Sequence, residues 1–141
     1  MSHYIDVKTQ IKDTEALVRA LKRVGMTNIE VHETAQNLYG YQNDLRNQKA
    51  HVIIRKKYVG HASNDIGFEK KKDGFFVAHI SEFDQGTGEY KNRNSKYGVA
   101  WQKKLYTYYG VEVCKKEYDK KGWDYVEEVD EKDRIRLRAF V

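Results

Sequence analysis

From position 3 to 11 the chain alternates, with Ile5, Val7, Thr9 and Ile11 on one side and Tyr4, Asp6, Lys8 and Gln10 on the other. A period of two over this length predicts a half-buried strand. Asp13 then offers a carboxylate to the open amides of a first helical turn that also carries Glu15. Leu17, Leu21 and Val24 recur at helical spacing, with Ala20 between them. Gly25 is placed to stop that helix in the left-handed conformation, Met26 to fold back on its last turn, and Ile29 and Val31 to open a second strand.

Residues 33–50 are polar, with Tyr39, Gly40 and Tyr41 as the large apolar interruption, and read as a connection with its own structure or a mobile flap. Three β-branched residues, Val52, Ile53 and Ile54, make His51 to Lys57 a third strand. The Asp73–Gly74 pair predicts a hairpin between a run ending in Lys70, Lys71 and Lys72 and the run Phe75 to Ile80, with Ile66 and Phe68 pointing inward. Asp84 to Ser95 reads as a loop. Ser95 is placed to cap a second helix, along which Trp101, Leu105, Tyr108, Val111, Cys114 and Tyr118 step by three or four. Gly122 ends it. Tyr125 to Val129 and the alternating run Arg134 to Val141 predict a last hairpin, with Arg134, Arg136 and Arg138 facing Glu128 and Asp130.

These elements predict one α+β domain over residues 1–141: an antiparallel or mixed sheet of six or seven strands with two amphipathic helices packed on one face. The other face is left wet or covered by a partner. Lys22–Met26 before Ile29 echoes Lys120–Trp123 before Val126. A true duplication would place two strand–helix–strand units on one sheet, whereas helix-end chemistry alone also accounts for the echo.

Composition sharpens this picture. With 141 residues, 26 basic against 21 acidic side chains and a net charge of +5, the chain is long enough to bury a core without a disulfide, and Cys114 has no internal partner. No apolar run approaches the length of a membrane span and no secretory leader is visible, so the expected setting is cytoplasmic.

Candidate chemistry is sparse. His3, His32, His51, His61 and His79 lack metal-ligand spacing, and ordinary strand positions account for His32, His51 and His79. Cys114 sits on the apolar stripe and is expected to be buried. Ser2 beside His3 has the residue types of an N-terminal nucleophile but no oxyanion-stabilising loop nearby, and Gly86–Gly88 lacks the lysine of a phosphate loop. No catalytic residue, metal or cofactor is expected. The basic clusters Arg55–Lys57, Lys70–Lys72 and Lys91, Arg93 and Lys96, interleaved with Tyr58, Tyr90 and Tyr97, carry more chemistry. Cations that displace counterions and rings that stack on bases suit single-stranded nucleic acid.

The start Met1–Tyr4 with Lys8–Ile11, then Gly40–Tyr41, Lys49, Ala50, Val52, Ile54 and Arg55, the box Asp65–Phe68, and Gly122–Trp123 together resemble a family: the plastid and cyanobacterial hypothetical chloroplast reading frame thirty-five, with bacterial relatives. The chain departs from it in the lysine-rich stretch Lys70–Lys72 and in Asp84–Ser95. That family has no assigned catalytic residues, and the gene neighbourhood of some bacterial relatives implies an accessory role beside a ring-forming ATPase.

The functional expectation is therefore a small basic, non-enzymatic protein-binding or adaptor module, with another protein, such as that ATPase, as partner. The contact residues expected are Tyr39, Tyr41, Arg55, Lys70, Lys71, Lys72, Tyr90, Arg93 and Tyr97. The alternative is a module that binds single-stranded nucleic acid through the same basic loops and tyrosines, with no membrane partner in either case.

Overall fold

The computed structural model describes residues 2–91 and 96–140. Strand β1 (Tyr4–Lys8) leads to helix α1 (Thr14–Arg23). Asp13 caps the helix by accepting the Ala16 amide at 3.0 Å. At the far end Gly25 takes φ 95° and the Met26 amide returns to the Leu21 carbonyl, the predicted glycine stop. Strands β2 (Glu30–Tyr39) and β3 (Leu45–Ile54) form a long hairpin. A single turn of helix, α2 (Lys56–Val59), then leads to β4 (Ile66–Lys70) and β5 (Phe76–Ser81), joined by the Asp73–Gly74 turn. After these come the short α3 (Glu82–Gln85), a 3-10 turn (Gly88–Tyr90), the long α4 (Val99–Lys121), and the ribbon β6 (Asp124–Val129) with β7 (Ile135–Phe140).

The first five strands make one antiparallel sheet in the order β1-β5-β4-β3-β2. Its helix-side face presents Val52, Ile54, Ile66, Phe68, Phe76, Ala78 and Ile80, all fully buried against Leu17, Ala20 and Leu21 of α1 and Leu105 of α4. Burying a side chain of this kind stabilises the fold by roughly 1.5–3 kcal/mol, so this layer dominates the core.

Part of the second face is covered by the chain itself. Register shifts in the β2–β3 pairing, between Val31 and Gln36 and between Asn37 and Tyr39, bend the hairpin. Its distal half folds back, and Leu38 and Ala50 close over Gly67, joining Ile53 and Tyr4 in a second apolar cluster. At the tip, Arg46 donates to the Ser2 carbonyl at 2.8 Å and lies over the Tyr4 ring, tying the hairpin to β1.

Several expectations are corrected. The strands divide into a sheet of five and a separate ribbon of two, instead of six or seven in one sheet. The ribbon attaches to α4 through the stacked rings of Tyr118, Trp123 and Tyr125 and never reaches a sheet edge. This also removes the two units on one sheet that a duplication would require. The polar stretch 33–50 holds most of two paired strands and is no open flap. The third strand stops at Ile54, and Lys56 and Lys57 belong to α2. On β1 the sides are reversed at the start: Tyr4 is buried under the hairpin, and Ile5, on an edge strand the helices do not cover, is 38% exposed. Asp84 to Ser95 is not wholly loop, since α3 and the 3-10 turn fall within or beside it. The Ser95 cap lies outside the described residues; α4 begins at Val99 with Gly98 as its cap residue.

Cys114 is exposed, not buried. The reason is the polar character of the middle of α4. Toward α1 the helix turns Tyr109, whose hydroxyl accepts the Lys12 and Asp13 amides, then Glu112, bonded to Arg23, and Lys116, bonded to Asp13. With those positions inward, Cys114 faces out.

Candidate functional site

The sequence Arg55–Ile66 turns the chain from β3 through α2 back into β4, and Asp65 at the end of that turn organises it. Asp65 is 1% exposed. Its carboxylate accepts the amides of Tyr39 and Lys56, both at 2.7 Å, and a guanidinium N–H of Arg55 at 2.9 Å. Its main-chain oxygen accepts the Tyr4 hydroxyl. Arg55 also grips Glu30 with two bonds, at 2.9 and 3.0 Å, and the guanidinium holds the Glu30 carboxyl below the usual carboxylate range. Arg55 is thus an internal brace between β2, β3 and β4.

The preceding residue does similar work. Asn64 is fully buried, accepts the Tyr41 amide at 3.1 Å, donates to Ser81 at 2.9 Å and passes its own amide to Asp84. Ser81 caps α3, and Ser2 accepts the Phe83 amide at 3.1 Å. The Ser2 hydroxyl is thus a buried acceptor.

This frame ties the Tyr41 backbone to Asn64 while the residue stays 42% exposed. Beside the ring lies a slot of about 210 Å³ formed by Tyr41, Ala62, Asn64, Phe83, Tyr90 and Ser2. Phe83 and Tyr90 meet edge to face at 5.4 Å, giving the slot an aromatic wall. Tyr41 and Ala62 also border a shallow basin of about 460 Å³ lined by the charged Lys56 and Lys57 and by His61 and Ser63. Ala62, shared by both, holds φ 61°, a left-handed conformation that L-alanine adopts at a cost of about 1–2 kcal/mol.

The residues singled out in the sequence fall at two ends of the sheet. Tyr39, Tyr41, Arg55 and Tyr90 gather at the end just described. Tyr39 is half exposed, with its ring beside the Arg55 guanidinium. Tyr97 is nearby but buried: it donates to the Val59 carbonyl and packs edge-on against Trp101, and burial pushes its hydroxyl pKa up, so it offers no ring to a ligand. Lys70, Lys71 and Lys72 sit at the opposite end, where β4 turns into β5. Arg93 lies outside the described residues. The basic clusters Arg55–Lys57 and Lys70–Lys72 therefore lie apart.

The strand histidines do not converge on one point. His32 bonds Glu30, His51 receives the Lys70 amide, and the buried His79 stands apart between Asp6 at 2.7 Å and Glu69 at 2.9 Å. Burial pushes the Glu69 carboxyl up, but hydrogen bonds from His79 and Lys71 outweigh it and hold the group below its ordinary value. Among the described residues no group of three or more His, Cys, Asp or Glu side chains is placed to hold a metal ion, and no helix is long and apolar enough to cross a membrane.

Sequence reasoning missed Phe83, Ala62 and His61 as members of the site. Their signal is absent from a single sequence, because only the packing of α3 and the 60–64 loop brings them to Tyr41. No family model, curated protein or solved structure matches the chain.

Proposed function

We propose that this protein is a non-enzymatic binding module that docks a segment of another protein at the Tyr41 end, with an apolar side chain of the partner in the Tyr41–Tyr90 slot and a neighbouring carboxylate over Lys56 and Lys57. A ring-forming ATPase is the partner class that the family resemblance suggests. The observation that carries this reading is the exposed Tyr41 ring on a backbone pinned by Asn64, bordering both an aromatic slot and a cationic basin. An exposed, rigidly held aromatic residue beside a pocket is the usual form of a binding hot spot.

The nucleic-acid alternative draws less support. It needs cations and free rings along one track, whereas Arg55 is braced by Glu30 and Asp65, Tyr97 is buried, and Lys70–Lys72 lie at the other end. The test is capture from native cells at stoichiometric yield with the unaltered chain and with Tyr41→Ala. The reading requires one partner lost by at least tenfold with Tyr41→Ala and kept with Lys72→Ala. Equal recovery by both variants overturns it.

A further inference from the structure

The second basic group has a setting of its own. Lys70, Lys71 and Lys72 border a groove of about 530 Å³ with His51, Val31 and Phe76, a volume in the range of small-molecule sites. The lysines differ in what holds them. Lys71 is paired with Glu69 at 2.9 Å. The Lys70 ammonium lies 5.8 Å from the centre of the Phe76 ring, beside the groove.

His51 supplies a directed donor. Its Nδ1 accepts the Lys70 amide at 3.0 Å, so that nitrogen carries no proton and the ring's N–H is at Nε2. One hydrogen bond thus sets the tautomer and ties the ring to the backbone of the residue whose ammonium shares the groove. Also lining the groove are Glu33 and His32, the latter bonded to Glu30.

We infer that this groove binds a small phosphorylated ligand of nucleotide size, with Lys70 and Lys72 on the phosphate oxygens and His51 Nε2–H donating to the same group. Phosphate suits the set because it accepts several charge-assisted bonds at once. A polymer suits it less, since Glu33 faces the groove and the next cationic group is at the far end of the sheet. The site is separate from the Tyr41 surface and does not depend on it.

The test is a titration of the full chain, followed by backbone amide NMR, with inorganic pyrophosphate, adenosine diphosphate and a short oligothymidylate. The expected result is saturable shifts confined to His51 and the β4–β5 turn with both small ligands. Equal affinity for the two means that phosphate alone is read, and tighter diphosphate binding means that the base is also held. Lys70→Ala with Lys72→Ala should weaken binding by roughly a hundredfold, about tenfold for each charge-assisted contact, with the melting temperature unchanged. His51→Phe should also weaken it, and the lysine pair keeps the test decisive if that variant fails to fold. Absence of shifts with either small ligand, binding unaltered in the lysine variant, or binding of the oligonucleotide alone with a steep salt dependence would each overturn the inference.

Discussion

Arg23 at the end of α1 holds Glu127 of β6 through two parallel hydrogen bonds, at 2.8 and 2.6 Å. The same guanidinium reaches Glu112 of α4 at 3.0 Å and lies over the Tyr108 ring, while Lys115 bonds Glu127 from the other side. An isolated two-stranded ribbon is marginal in water. This network, with the rings of Tyr118, Trp123 and Tyr125, is what anchors the ribbon to the helices.

Arg23→Ala should therefore destabilise the chain by about 1–2 kcal/mol, the scale of a partly exposed, charge-assisted network, with Lys115 still partnering both carboxylates. Urea unfolding measures the loss. Amide exchange should accelerate most in β6 and β7, because the five-stranded sheet keeps its own contacts.

The acid response should centre on the same carboxylate. Hydrogen bonds from Arg23 and then Lys115 bring the Glu127 pKa from 4.5 down to about 2. A group depressed in the folded state stabilises fully above its unfolded pKa and loses that contribution as pH falls toward its folded pKa. Ribbon protection, followed by amide exchange, should thus fall between about pH 4.5 and 2. In Arg23→Ala this fall should be smaller, since less of the shift remains to be lost.

Gly67→Ala tests the folded-back hairpin. A methyl there would stand 2.6 Å from the Ala50 Cβ and 2.9 Å from a Leu38 methyl, both in the second apolar cluster. Overpacking of this kind costs about 1–3 kcal/mol, read from chemical denaturation. Adding Ala50→Gly should recover part of it, a coupling that distant residues would not show.

Asp65→Ala should be the more damaging change at the candidate site. It strands the Tyr39 and Lys56 amides and one arm of Arg55 without an acceptor, at a cost of about 3 kcal/mol or more by thermal unfolding. Partner capture should fail with it. Tyr41→Ala, by contrast, should lose capture while keeping its melting temperature.

Local chemistry was readable in the sequence. Asp13 and Gly25 bound α1, Asp73–Gly74 marks the β4–β5 turn, and the Arg134–Arg138 alternation gives β7, because each rests on a neighbour within a few residues. Of strand β2 only the opening at Ile29 and Val31 was readable: Glu30–Tyr39 buries only Leu38 fully, so no apolar alternation marks the rest, and its pairing with β3 makes the strand. Periodicity also misplaced Cys114, because the side of α4 that meets α1 is polar there and hydrophobic spacing does not detect ion pairs. At the candidate site, Tyr39 and Tyr41 stood out as the rings in a polar stretch. The burial of Asn64 and Asp65, which positions them, depends on contacts with β2, α3 and β5 that no local spacing encodes.

The ribbon has one more consequence. Among the described residues neither β6 nor β7 is flanked by a further strand, so each carries an outer row of main-chain groups that a stray chain could zip onto. Arg136 and Arg138 put positive charge on β7, and Asp124, Glu127 and Glu128 put negative charge on β6. Each row thus meets an incoming strand with charge, and the cost of burying that charge guards the molecule against aggregation through these edges.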